Sequence, residues 1–164
     1  MPLAYWVSVT LHVLAALVWL GGLFFLALVG APVLRRVEPP ALRARLFGDL
    51  GLAFRRVGWV TLGVLVVTGT LLLHYRGWLR RDTLFEAGFW GTTAGTALAW
   101  KLAAVTTMLL LQAAHDFALG PVASRAAPGS PESLRLRRRA TLLARASAVV
   151  GLVIVVAAVR LARG

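Results

Sequence analysis

Three histidines lie within or at the edge of long apolar runs, where ionisable side chains are scarce: His12, His74 and His115. Imidazole nitrogens in such places bind metal ions or haem iron, or relay protons. The chain has no cysteine and only two methionines, Met1 and Met108. Thiolate chemistry is therefore excluded, and imidazole is the metal donor that remains.

The distance of each histidine from the flanking basic residues predicts which of them lie at the same depth. His12 lies 23 residues before Arg35, and His74 lies 18 residues after Arg56. At about 1.5 Å per helical residue these positions are about 34 and 27 Å from the same side. Consecutive antiparallel helices are usually neighbours, so the two histidines are predicted to face each other. His115 lies near the opposite end of its run and is predicted to stand apart from them.

Two facing imidazoles suit the iron of haem b, whose apolar macrocycle fits between helices. We therefore predict His12 and His74 as axial metal ligands. The haem propionates would lie near cationic side chains, namely Arg76, Arg80, Arg81 and Lys101. Copper is the alternative ion, and a proton-relay pair or two hydrogen-bonded packing residues also remain open. Lys101 would equally fit a lysine that extends to the interface.

Two adjacent glycines follow a tryptophan in the first apolar run, at Trp19, Gly21 and Gly22. A glycine inside a helix costs about 1 kcal/mol relative to alanine, so the missing side chains need a reason. Close contact with a neighbouring helix or with the face of a flat cofactor would explain the two glycines. We include all three residues among the candidate cofactor contacts.

The elements that must position these residues are membrane spans. Of the 164 residues 59% are hydrophobic and 15% are charged, and the mean hydropathy is +0.79, which excludes an ordinary soluble domain. The net charge of +12 comes from basic residues that flank the apolar runs, so it indicates topology and attraction to lipid, with no nucleic-acid partner. The spans are predicted at about 3–34, 57–75, 92–118 and 140–161. We predict an all-α integral membrane four-helix bundle, formed as a single domain by residues 1–164.

The connecting segments fix the predicted orientation. Segments 35–56 and 125–145 contain twelve arginines, against five in the remaining connection and the C-terminus. This bias predicts both termini on the outer, periplasmic side of a bacterial inner membrane. Residues 41–56 are predicted as an amphipathic inner segment, and residues 76–91 as an interfacial outer loop. Small residues within 140–151 fit packing inside the chain or a homodimer interface.

Three stretches resemble CopD-type membrane proteins: HVLAALVWLGGLFFLALVGAPVLRR, FRRVGWVTLGVLVVTGTLLL and ALAWKLAAVTTMLLLQAAHD. This resemblance implies a four-helix membrane protein with a role in copper handling. The chain is similar, more distantly, to HemJ-type haem-binding membrane proteins. That similarity implies His12 as a haem ligand and Trp100 and Lys101 as the counterparts of a third-helix motif.

We predict a haem b-binding membrane protein with an electron-transfer or redox role, for which the chain identifies no catalytic residue. A haem-dependent oxidoreductase is one form of this role, and it would need a redox partner protein. One alternative is a CopD-like copper-handling or copper-transport protein. The other is a structural subunit, without cofactor, of a larger membrane complex.

Overall fold

The computed structural model describes residues 2–80, 83, 85–120, 122 and 130–163. All regular structure in these residues is helical. The chain forms two compact units, Met1–Phe85 and Glu86–Gly164, and each is described by itself.

The first apolar run forms a continuous helix that changes geometry near its end. It consists of α1 (Leu3–Phe25), a π-helical segment π1 (Leu26–Gly30) and a last turn α2 (Ala31–Leu34). Pro32 has no N–H to donate and its ring crowds the carbonyl of the preceding turn. The wider π-helical segment just before it accommodates this proline without ending the helix.

The next helix, α3, extends from Pro40 to Tyr75 without interruption. Pro40 occupies its first position, where an N–H would have no intrahelical partner. The amphipathic segment predicted at 41–56 and the span predicted at 57–75 are therefore one helix. Arg55 and Arg56, the residues taken as a membrane boundary, lie in its middle.

Helices α1 and α3 pack antiparallel in a regular register. The rings of Tyr5 and Tyr75 are 5.9 Å apart at one end of the pair. His12 meets Thr68 further along, and the Phe54 ring lies against Gly22 further still. Each step toward the end of α1 thus meets an earlier residue of α3.

The second unit is also a helix pair with a short entry helix. Helix α4 (Ala87–Gly91) precedes α5 (Thr93–Ala113), which continues as a π-helical segment π2 (Ala114–Leu119). Thr92 caps α5, because its Oγ1 accepts a hydrogen bond of 3.0 Å from the backbone N–H of Gly95. The last helix, α6, comprises Pro131–Arg163 and packs along α5.

Small residues of α6 are used in this packing. Ser147 and Gly151 are buried within the second unit, whereas Ala144 is exposed. The small residues Ser147 and Gly151 therefore let α5 and α6 approach closely.

Among the residues that the structure describes, four helical segments are long and apolar enough to cross a membrane: Leu3–Leu34, Pro40–Tyr75, Thr93–Leu119 and Arg138–Ala162. This confirms the predicted number of spans. Large apolar side chains cover their outer surfaces, among them Leu28, Val60, Leu110 and Val149. Such surfaces fit lipid rather than water. The side of the membrane on which the termini lie remains a prediction.

Candidate functional site

The first unit brings His12 of α1 onto the hydroxyl of Thr68 on α3. His12 Nδ1 lies 2.8 Å from Thr68 Oγ1, and the same hydroxyl donates to the carbonyl oxygen of Val64 at 2.6 Å. A hydroxyl has one proton, so Thr68 accepts from His12 while it donates to Val64. Neutral His12 consequently carries its proton on Nδ1 and its lone pair on Nε2.

The ring of His12 fits beside α3 because the residue after Thr68 is a glycine. A Cβ atom on Gly69 would lie 3.3 Å from His12 Cε1 and 3.9 Å from His12 Nδ1. On α1, the half-buried His12 shares one face with Ser8, Ala15, Trp19 and Leu23, all of which are buried. The spacing of three and four residues along this face is that of a helix packed on one neighbour.

The register with α3 gives His12 a depth in the membrane. Thr68 lies 12 residues after Arg56 and 8 residues before Arg76. At about 1.5 Å per residue the imidazole is about 18 Å from one arginine level and about 12 Å from the other. These distances place it well inside a hydrocarbon core about 30 Å thick, where a polar ring needs a partner.

The structure places His74 in different surroundings from His12. His74 is exposed, and its ring contacts that of Tyr75 with centroids 6.0 Å apart. It lies six residues beyond Thr68, which is about 9 Å along α3 and about 120° around it. Counting from Arg35 for His12 and from Arg56 for His74 predicts about 34 and 27 Å from the same side. Along α3 the distances from Arg56 are instead about 18 Å for His12, at Thr68, and about 27 Å for His74, so the predicted order is wrong. The structure does not bring the two rings to one face of α3, and their joint metal ligation remains a prediction.

Helix packing explains the tryptophan and one of the two glycines of α1. A Cβ atom on Gly22 would lie 2.6 Å from Phe54 Cε2, so the glycine makes room for that ring. Trp19 is 2% exposed, and its ring lies about 4 Å from the position of a Cβ on Gly58. Gly21 has no described atom within 4 Å of its Cβ position. The neighbouring helix thus supplies the reason for Gly22, and the flat cofactor is not needed for it.

Trp19 also carries a polar group that the packing leaves unsatisfied. Among the described residues, its Nε1 is buried without a hydrogen-bond partner. It lies two helical turns from His12 on the same face of α1.

The predicted cationic residues have separate surroundings. The Arg76 guanidinium carbon lies 5.1 Å from the ring centroid of Trp78, and Arg80 is exposed. Arg81 lies outside the described residues. Lys101 is half-buried on α5 of the second unit, next to the exposed Trp100.

The donor set of the chain fits an ion bound by imidazole nitrogen. Within the described ranges no group of three or more His, Asp or Glu side chains is placed to hold a metal ion. Met108 is 1% exposed in the core of the second unit, so its thioether serves packing. A cleft of about 600 Å³ in that unit is lined by Thr96, Trp100, Val153, Arg160 and other residues, with no imidazole or carboxylate among them.

Sequence reasoning missed the polar partners of the histidines. Thr68 was noted only as part of a family-like motif, although a threonine in an apolar run is itself a signal of a buried hydrogen bond. In the second unit, the Nδ1 of His115 lies 3.0 Å from Asp116 Oδ1, and Gln112 Nε2 donates to Asp116 Oδ2 at 2.8 Å. The adjacency of His115 and Asp116 was visible in the sequence.

The chain belongs to the family CopD, described as Copper resistance protein D, which it matches over residues 51–161. This range is about two thirds of the chain, and it contains Thr68, His74 and His115 but not His12. No curated protein sequence and no solved structure matches the chain significantly. The family and the four apolar helices together define a multi-pass membrane protein.

These findings do not support the prediction of haem b held by His12 and His74. The matched family is one of copper resistance. The copper alternative agrees better with this finding.

Proposed function

We propose that the protein handles copper within the membrane, with His12 as the ligand that receives the ion. The observation that carries this proposal is the hydrogen bond between His12 Nδ1 and Thr68 Oγ1, which orients the imidazole, and Nε2 is the proposed ligand atom. Membership of the copper resistance family supports the choice of ion.

The chemistry of copper agrees with this donor set. Imidazole binds copper well, and copper heads the stability order of the divalent first-row metals. A site with few protein ligands also suits an ion that must leave again, because cargo has to be released. Copper is therefore substrate here rather than a resident cofactor.

The environment of His12 supports a function rather than packing alone. An imidazole about 12 Å from the nearer arginine level is costly in hydrocarbon, even with one hydrogen bond satisfied. A side chain of this kind inside a span usually marks an ion or proton pathway. We further propose a bacterial inner membrane as the location, with the termini on the periplasmic side.

Copper binding by purified protein and copper content of expressing cells test the proposal together. We expect the wild-type protein to bind copper and to show no Soret band. His12→Ala should lower copper affinity at least tenfold and return cellular copper to the level of cells without the protein. Helical circular dichroism should be unchanged, because alanine is a good helix former.

Two results would contradict the proposal. One is wild-type copper affinity and cellular copper in a folded His12→Ala variant. The other is a Soret band in the wild-type protein that is lost on this substitution, which would return the site to haem.

A further inference from the structure

A second oriented imidazole lies at the end of the third candidate span. Asp116 is 5% exposed on π2, and its two carboxylate oxygens accept hydrogen bonds from Gln112 and His115. The His115 side chain is 47% exposed. A buried carboxylate thus holds an imidazole that extends to the surface of the unit.

The hydrogen-bond chemistry fixes which nitrogen of His115 faces outward. An ionised carboxylate can only accept, so His115 Nδ1 donates its proton to Asp116 Oδ1. The neutral ring then has its lone pair on Nε2, which makes no hydrogen bond within the described residues. This is the arrangement in which a carboxylate orients a metal-binding histidine.

The carboxylate itself is held from the other side. Gln112 is 8% exposed and donates to Asp116 from one helical turn earlier. The segment that carries His115 and Asp116 is π-helical, and such segments occur frequently at functional sites. Three polar side chains therefore form one chain, from the buried Gln112 through Asp116 to the exposed His115.

The other two histidines provide a comparison. The ring of His12 has an orienting partner in Thr68, whereas no hydrogen bond of the His74 ring is found within the described residues. Metal-binding histidines almost always donate their second ring nitrogen to such a partner. By this criterion His12 and His115 resemble metal ligands and His74 does not.

We propose that His115 Nε2, oriented by Asp116 and Gln112, is a second metal-binding site that takes Cu²⁺, with water in the remaining coordination positions. The choice of copper rests on the proposed function, whereas the orientation of the ring does not. The site belongs to the second unit alone and needs no residue of the first.

Variants with a single histidine isolate this site. The chain has three histidines, so His12→Ala/His74→Ala leaves His115 alone, and His12→Ala/His115→Ala leaves His74 as a matched control. Each full-length protein in detergent micelles would be titrated with Cu²⁺. Electron spin echo modulation from the remote imidazole nitrogen distinguishes histidine ligation from binding by the terminal amine or by carboxylates.

We expect the His115-only protein to show one imidazole-bound Cu²⁺ per chain, at least tenfold tighter than the His74-only protein. Asp116→Asn in the His115-only protein should weaken binding 10 to 100-fold, the effect usual for loss of an outer-shell partner. Circular dichroism would confirm that each variant keeps its helices.

Equal affinities of the two single-histidine proteins would overturn the proposal, as would an unchanged affinity of the folded Asp116→Asn variant. The protein that retains only His12 tests the proposed function separately. If it binds no copper while the His115-only protein does, the His12 proposal fails and this site stands.

Discussion

His12 and Thr68 are 56 positions apart in the chain, yet His12 Nδ1 and Thr68 Oγ1 lie 2.8 Å apart where α1 crosses α3. The hydroxyl cannot donate to the ring, because its proton is directed to the carbonyl of Val64. The bond therefore selects one tautomer of a neutral imidazole. A single threonine thus determines which nitrogen is presented to an ion.

Replacing this threonine should weaken copper binding without removing the ligand. Thr68→Val keeps the shape of the side chain but lacks the oxygen that accepts from His12. We expect copper affinity to fall 10 to 100-fold, and the free energy of unfolding to fall by about 1 kcal/mol. Competition with a copper chelator and thermal unfolding in micelles measure the two effects.

Thr70 is a matched control for this experiment. Its hydroxyl donates to the carbonyl of Val66 at 2.9 Å, as that of Thr68 does to Val64, but the residue is exposed. Thr70→Val should keep the wild-type copper affinity. If both valine variants behave alike, the tautomer argument is wrong.

His74→Ala tests the predicted pair of histidines. Because His74 lies about 120° around α3 from Thr68, we expect its loss to change copper affinity at the His12 site by less than threefold. Competition with the same chelator as for Thr68→Val measures the copper affinity of His74→Ala. A loss as large as that of His12→Ala would instead show that both imidazoles bind one ion.

The two adjacent glycines of α1 should respond differently to a methyl group. Gly22→Ala forces the Phe54 ring to move, and overpacking of this kind typically costs about 1–3 kcal/mol. Gly21→Ala meets no described atom within 4 Å and should be neutral or stabilising by up to about 1 kcal/mol. The midpoint of thermal unfolding in micelles compares them. Equal midpoints would mean that Phe54 adjusts freely.

Gly95 is required where α4 passes into α5. A Cβ atom there would overlap the backbone carbonyl of Phe89, which cannot move without unfolding the short helix. Gly95→Ala should therefore destabilise the second unit by at least about 2 kcal/mol, as overpacking against backbone does. Gly91→Ala, with no described atom near its Cβ position, is the control. Limited proteolysis at the connection between α4 and α5 compares the stability of the two variants. Equal resistance to proteolysis would contradict the prediction.

The orientation of the chain follows from its arginines. With twelve arginines in segments 35–56 and 125–145, we expect a reporter enzyme fused after Gly164 to be active only when it requires the periplasm. Moving arginine charge from 135–139 to the 76–81 loop should reduce that activity. A fusion active only in the cytoplasm would reverse the assigned topology.

The spans could be predicted from the sequence because length and hydropathy are properties of each segment alone. The pairing of His12 with Thr68 could not be predicted, because it depends on the axial register of α1 against α3. Counting from Arg56 assumed that this residue marks the same level as Arg35. The structure instead places Arg56 in the middle of a helix that begins at Pro40.

The angular position of each residue around its helix, relative to the partner helix, was the second quantity that the sequence did not provide. Depth alone treated His74 as a neighbour of His12, although α3 buries Gly58, Leu62 and Thr68 while His74 is exposed. These buried positions are recognisable only once the partner helix is known. The burial of Asp116 likewise depends on how its helix packs, which the sequence does not show.

The unbroken length of α3 sets how the first unit must sit in a bilayer. Its 36 residues extend about 54 Å, against about 30 Å of hydrocarbon. Tilt alone would have to reach about 56° to hide that length, beyond the range of about 0–40° that spanning helices show. The excess therefore projects from the membrane at the Pro40 end, together with the end of the first helix. The arginines near Pro40 lie among headgroups and water at any tilt within this range. When the thickness of the bilayer changes, the length of helix outside the membrane changes at the Pro40 end, and the depth of His12 does not.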